Sequence, residues 1–188
     1  MQIADYIRSR VDFPEEELKE IMSYFRKETI AKNTVMLNEG SICQKLYFLE
    51  KGVGRSYYLN KNGKYVTQWF FGEGNFMTSL ESFFQESPSL SFMETLEDSV
   101  VYSITKENID YLFEKYHKME KFGRIISIDM TTKISDKLNA IQFQTASDRY
   151  NYMLKEFPNI SMRVPLGDIA SYLGITQETL SRIRKKHY

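Results

Sequence analysis

Gln177, Glu178, Ser181, Arg182 and Lys185 fall on one side of a helix drawn through the end of this 188-residue chain. Steps of three and four residues bring them together. Their groups match what base-pair edges offer in a major groove: arginine can bond guanine twice, glutamate can accept from cytosine, and glutamine can pair with adenine or a phosphate. Arg163, Thr176, Arg184, Lys185 and Lys186 carry donors suited to backbone phosphates, contacts that position a protein without reading sequence. The charge distribution agrees. From Arg163 onward there are five basic and two acidic residues, a net +3, which leaves −3 for the rest of a chain whose total is zero. A small basic end on a mildly acidic body points to double-stranded DNA contacted at one end, and a solvated helix face is the competing reading of the same residues.

Other chemistries fail on residue counts. An iron–sulfur centre needs about four thiolates, and Cys43 stands alone. His117 and His187, the two histidines, lie outside the β-like region, so neither a haem ligand set nor a metal-bearing barrel enzyme has its residues. A nucleophile paired with a histidine base is equally absent, and neither an enzyme nor a metal site is expected. A lone cysteine excludes an internal disulfide. The start, Met1-Gln2-Ile3-Ala4-Asp5, does not read as a secretory signal, and no apolar run approaches the ~20 residues of a membrane helix. The expectation is a cytoplasmic protein without a membrane partner.

The elements that must position the terminal helix can be read backwards from it. Leu166, Ile169, Ala170 and Leu173 make one face of a short preceding helix, with Ala170 small where two helices approach. Gly174 stands where the chain needs positive φ to turn. Thr176 is a good N-cap for residues 177–186, and Ile175 with Leu180 suits a hydrophobic staple across it. Upstream, Thr145-Ala146-Ser147-Asp148 has the form of a capping box for a short helix through Tyr150, Met153 and Leu154 that Pro158 stops. Residues 142–145 then read as a hinge. Met119, Phe122, Ile126, Met130, Ile134, Leu138 and Ile141 recur at helical steps for nearly six turns, longer than one small domain can cover. That stripe is expected to be a homodimer interface.

The first part of the chain has another texture. Ile3, Ile7 and Val11, then Leu18, Ile21, Met22 and Phe25, have helical spacing, and Pro14 before three glutamates marks a fresh helix start. After Thr29 come short β-like runs, about 34–37, 45–50, 54–59, 64–71, 91–95 and 99–104, punctuated by glycines. Asn62-Gly63 predicts a two-residue hairpin turn. The fold class expected is α+β: an antiparallel β-roll with flanking helices over residues 1–117, a long helix over 118–142, and a helix-turn-helix domain, winged-helix-like, over 143–188.

Gly174-Ile175-Thr176-Gln177-Glu178-Thr179-Leu180-Ser181-Arg182 resembles the helix-turn-helix of the cyclic-AMP receptor protein/FNR family, and the likeness extends over nearly the whole chain. Arg149-Tyr150, Phe157-Pro158 and the run Ile169–Gly174 look like a branch common in Bacteroidetes-type bacteria. The resemblance implies a homodimeric transcription regulator with base contacts from Gln177, Glu178 and Arg182, and with RNA polymerase as a further partner. Family members reading TGTGA carry arginine where Gln177 stands, which leaves the half-site sequence open. The family's cyclic-nucleotide cassette is also altered. Thr78-Ser79-Leu80 lies over its Gly-Glu-Leu turn and Ser89-Leu90 over its Arg-Ser pair, so a buried phosphate would lack its guanidinium. Cyclic AMP is therefore disfavoured and no cofactor is assigned. An unknown effector would be held by Thr78, Ser79, Leu80, Ser89 and Leu90 with Tyr57 and Trp69. The aromatic group Tyr57, Tyr58, Trp69, Phe70, Phe71, Phe83 and Phe84 reads either as pocket lining or as core. A small-molecule-binding module whose terminal helices contact protein is the alternative function.

Overall fold

The computed structural model describes residues 2–185. Helices α1 (Ile3–Arg10) and α2 (Glu15–Ser23) open the chain. Ile3 and Ile7, one turn apart, are fully buried, as are Leu18 and Ile21 in α2. Pro14 stands at the N-cap of α2, and Glu15, Glu16 and Glu17 fill its first turn, against the positive end of the helix dipole.

Eight strands follow: β1 (Arg26–Ile30), β2 (Val35–Leu37), β3 (Lys45–Lys51), β4 (Gly54–Leu59), β5 (Tyr65–Phe71), β6 (Phe76–Met77), β7 (Phe92–Thr95) and β8 (Ser99–Thr105), all among the described residues. They form two four-stranded sheets, ordered β1-β8-β3-β6 and β2-β7-β4-β5, with every pair antiparallel. This is the expected roll. Between them Phe48, Phe76, Met77, Met93, Val101 and Ile104 are buried with the apolar faces of α1 and α2. Helices α3 (Leu80–Gln85) and α4 (Lys106–Lys115) flank the sheets.

The β4–β5 hairpin departs from the expected two-residue turn. Leu59 pairs with Tyr65, and Asn60 N–H donates to the Lys64 carbonyl at 2.9 Å, so three residues form the loop. The Asn60 side chain accepts from the amides of Asn62 and Lys64, and Gly63 alone takes positive φ, +70°. The Asn60 side chain thus replaces the second left-handed residue that a tighter turn demands.

Helix α5 (His117–Phe143) is 27 residues long, about 40 Å at the helical rise. Its stripe does not face one way only, which corrects the expected dimer surface. Met119 and Phe122 are buried in the core of the roll, Phe122 edge-on to Tyr6 and Phe76. Gly123 lets α5 approach α4, because a Cβ there would lie 2.7 Å from the Phe113 ring. Ile126 packs on the same core, half-buried. Beyond Met130 the stripe loses its cover, leaving Ile134, Leu138 and Ile141 exposed, while another face of the helix still meets β5 through Lys137. Only the first turns of the stripe belong to the monomer core.

After a two-residue break come α6 (Ala146–Glu156), α7 (Ile160–Arg163), α8 (Leu166–Leu173) and α9 (Gln177–Lys185). The capping box is present: Thr145 accepts from the Asp148 amide, and the Asp148 carboxylate accepts from the Thr145 amide. Read as a separate unit, these helices instead share a core with the roll. Val53, Phe70 and Leu96 are buried together with Tyr150, Met153, Ile160, Val164, Ile169, Ala170, Leu173 and Leu180. Among the described residues no helix is long and apolar enough to cross a membrane.

Candidate nucleic-acid interface

The corner between α8 and α9 is closed by backbone chemistry. Gly174 takes φ +67°, its amide donates to the Ser171 carbonyl at 3.1 Å, and the Ile175 amide donates to the Ala170 carbonyl at 3.0 Å. These two bonds satisfy carbonyls that a helix end leaves orphaned. A side chain at position 174 would meet no atom, so conformation alone is the reason for glycine there. Thr176 then caps α9, its hydroxyl accepting from the Thr179 amide at 3.2 Å. Leu180 is fully buried and Ile183 and Ile175 pack on the same cluster, while Leu166, expected on the inner face of α8, is exposed.

The opposite face of α9 is open to solvent at Gln177, Glu178, Ser181, Arg182 and Lys185. Arg182 rests against its own helix through a bond from Nη2 to the Thr179 hydroxyl, 3.2 Å. Glu178 is held ionised: its own backbone amide and the Thr176 hydroxyl bond its carboxylate and lower its pKa. An ionised glutamate in the first turn is acceptor only, which suits a cytosine amine. The Gln177 amide lies along α8, where a Cβ on Gly167 would come within 2.9 Å of Nε2. Thr176 is exposed at the helix start, Arg184 is half-buried, and Lys186 and His187 lie outside the described residues.

Arg163, expected at a DNA phosphate, is paired within the chain instead. Its guanidinium makes a two-point pair with Glu73, at 2.9 and 2.5 Å, and further bonds to Glu97, one at 3.3 Å. These carboxylates raise the Arg163 pKa. Although burial pushes the Glu73 carboxyl up, Arg163 and the Gly52 amide outweigh it and hold the group near 2.

The roll grips α8 through charges that the sequence reading did not single out. Arg55, in β4, bonds Asp168 at 2.5 Å, Glu94 at 2.7 Å and the Thr67 hydroxyl at 3.0 Å. Burial nevertheless pushes the Asp168 carboxyl up, against the pull of Arg55. Across the same seam the Thr67 amide donates to the Ser171 hydroxyl at 3.1 Å. Arg149 caps the far end of α8, bonding the Leu173 carbonyl at 3.0 Å and, upstream, that of Gln144 at 2.9 Å. One hint was visible: an arginine between Gly54 and Ser56 in a strand of otherwise apolar texture.

Lys137 on α5 completes the seam. Its ammonium lies 3.9 Å from the Tyr172 ring centre and 5.1 Å from that of Trp69, and donates to the Gln68 carbonyl. Burial depresses its pKa from 10.5 to about 8. Between those values the unfolded chain binds the proton that the folded chain has lost, so stability should rise with pH across that window. Melting temperature measured from pH 8 to 10.5 is expected to climb in the wild type relative to Lys137→Met. A constant difference would mean that the ammonium stays charged in its aromatic seat.

The expected effector residues do not line one chamber. Tyr57 stacks on Phe92 at 5.1 Å, Trp69 faces Lys137, and Leu90 is exposed. Ser89 is buried and bonds Ser79 at 3.0 Å and the Ser91 carbonyl at 2.8 Å, while Thr78 bonds the Lys45 carbonyl and the Cys43 thiol. Among the described residues, none of the hydrogen bonds these hydroxyls make comes from a cation. Thr78 and Leu80 instead border a cavity of about 650 Å3 beneath α5, walled by Phe25, Phe76, Ile109 and Phe122. Of the aromatic group, Phe70, Phe71 and Phe83 are core, and Tyr58 and Phe84 are surface.

Comparison with known proteins places these features in a wider setting. Residues 27–116 match the family described as cyclic nucleotide-binding domain. The chain is 28% identical over 170 residues to the anaerobic regulatory protein of Aggregatibacter actinomycetemcomitans, covering 84% of this chain and 65% of that protein. The chain spans 65% to 70% of the length of the curated relatives of that name. Among solved structures, FixK2 from Bradyrhizobium japonicum superposes with a TM-score of 0.75 at 18% identity, over 86% of this chain and 83% of that one. A protein of Eubacterium rectale assigned to the crp/fnr family superposes at 0.70 and 17% identity, over 93% and 83%. At such identities the two structures establish the shared fold.

Proposed function

We propose that the chain is a homodimeric, DNA-binding transcription regulator of the cyclic-AMP receptor protein/FNR type, of the cytoplasm and not an enzyme, a reading supported by its similarity to anaerobic regulatory proteins. It reads an inverted repeat through α9. The observation that carries the reading is the exposed row Gln177, Glu178, Ser181 and Arg182 on a helix fixed from below by Leu180 and at its start by Thr176 and Gly174. A dyad along α5 would present two such helices to successive major grooves, with half-sites ~34 Å apart. RNA polymerase is the partner through which a bound regulator of this kind acts.

A cyclic nucleotide does not fit the residues at the cassette, since the hydroxyls of Ser79 and Ser89 bond each other and no cation joins them among the described residues. An effector working from the roll would have to suit the apolar cavity beneath α5 instead. Its action would be on the angle between α5 and the terminal helices at the break after Phe143.

Selection of bound sites from random duplex DNA is the direct test. Arg182→Ala should weaken binding to the selected site by ~1–3 kcal/mol and relax base choice at one position of each half-site. An unchanged preference would remove Arg182 as a reader. Wild-type affinity should also fall steeply with salt as counterions are released. Flat salt dependence would favour terminal helices that contact protein.

A further inference from the structure

Arg163 sits three residues before α8, the first helix of the helix-turn-helix pair, and the fold has surrounded it with an anion that is not DNA. Glu73 and Glu97 both come from the roll, in the turns before β6 and β8. Together they bind the guanidinium through both terminal nitrogens and Nε. Glu73 is steadied independently, since its Oε1 also accepts from the Gly52 amide at 2.9 Å. Glu73, meeting the guanidinium at two points, offers the single charge and the geometry that a phosphate diester would offer, and Glu97 adds a second charge. The cluster lies at the surface: side-chain exposure is 26% for Arg163, 36% for Glu73 and 28% for Glu97. The ion pairs are therefore open to solvent and not sealed in the core.

We propose that Glu73 and Glu97 are internal mimics of a DNA phosphate, an autoinhibitory contact that withholds Arg163 until the backbone of bound DNA displaces them. The proposal rests on the DNA-binding function argued above and adds a regulatory step to it. It also accounts for the charge division of the chain, because the net +3 of the terminal part is partly spent on a body of net −3. The competition has a simple form. When the binding-competent state is only a fraction of the population, apparent affinity falls by that fraction, and weakening the internal anion restores it. Glutamine at both positions keeps the side-chain shape and can still accept from Gly52, but no longer offers a charge.

The test measures affinity for the selected duplex at several salt concentrations in a double-mutant cycle. Glu73→Gln with Glu97→Gln should tighten binding on the order of tenfold. The slope of log Kobs against log[salt] should stay close to that of the wild type, because Arg163 meets a phosphate in both bound states. Adding Arg163→Ala to that pair should cancel the gain and make the slope shallower by about 0.9 for each protomer. A gain that survives without Arg163 would be general charge reduction and would overturn the proposal, as would no gain at all. The wild type gives a second readout that needs no altered carboxylate. The Arg163 Nε–H resonance, assigned by its loss in Arg163→Lys, should move when duplex is added, and a stationary signal would overturn the proposal. Failure of the underlying function looks different: wild-type protein would show no salt-dependent duplex binding that Arg182→Ala weakens.

Discussion

Phe70→Ala is expected to destabilise the chain by about 3–5 kcal/mol, with the terminal helices loosening from the roll. Phe70 is fully buried, yet it does not point into the sandwich. Its ring packs on Tyr172 of α8, with centroids 5.0 Å apart, and on Phe157 at the end of α6, 6.3 Å away and nearly perpendicular. Val53 and Leu96 complete the roll's side of this second core. The next residue, Phe71, is buried in the first core instead, because successive side chains on a strand face opposite ways. The pair therefore makes an internal control. Phe71→Ala should lower the urea midpoint of the roll itself. Phe70→Ala should also raise hydrogen exchange at the Thr67 amide, whose acceptor, Ser171 Oγ, lies across the seam. A Phe70→Ala loss below about 1 kcal/mol would mean that the seam is held by its charges, chiefly Arg55 with Asp168, and not by apolar burial.

What the sequence made legible is local. The Thr145 capping box, the Gly174 corner, the Thr176 cap and the register of α9 each depend on residues only a few positions apart, so chain spacing contains them. The six β-like runs correspond to six strands. The two that were missed had no pattern to show: β1, Arg-Lys-Glu-Thr-Ile, exposes charged side chains at an edge, and β6 is two residues long. Helix α4 buries Ile109 and Leu112 at proper helical spacing, but its ten residues follow directly on β8 and read as part of the roll. The seam was invisible for another reason. Arg55 and Asp168, Thr67 and Ser171, and Arg163 with Glu73 and Glu97 meet across 66 to 113 residues of chain, as their numbers show. No periodicity links such partners. Residue type alone assigned Arg163 to phosphate, and the fold supplied carboxylates. The same limit divided the long stripe of α5, because periodicity reports that a face is apolar and says nothing about which neighbour covers each turn.

That division sets the second large effect. Ile134, Leu138 and Ile141 are 49%, 53% and 58% exposed, at helical steps of four and three along one line of α5. Met130, Thr131 and Ile134 also line the cavity beneath the helix. A single chain leaves this apolar row in water, and a second copy related by a dyad along the helix would cover it. Ile134→Glu with Leu138→Glu should therefore convert a dimer into a monomer at micromolar concentration, seen as a halved mass by sedimentation. The monomer should keep its melting transition, because neither side chain contributes to the core of its own chain. Its affinity for an inverted repeat should fall by about 10²–10⁴, since the second half-site no longer binds at the high effective concentration that linkage provides. Affinity for a single half-site should stay unchanged. That last comparison separates the surfaces: α9 still reads its bases, while α5 no longer brings two readers together. A double variant that still sediments as a dimer would move the interface away from this stripe, and the apolar row on α5 would then need a different partner.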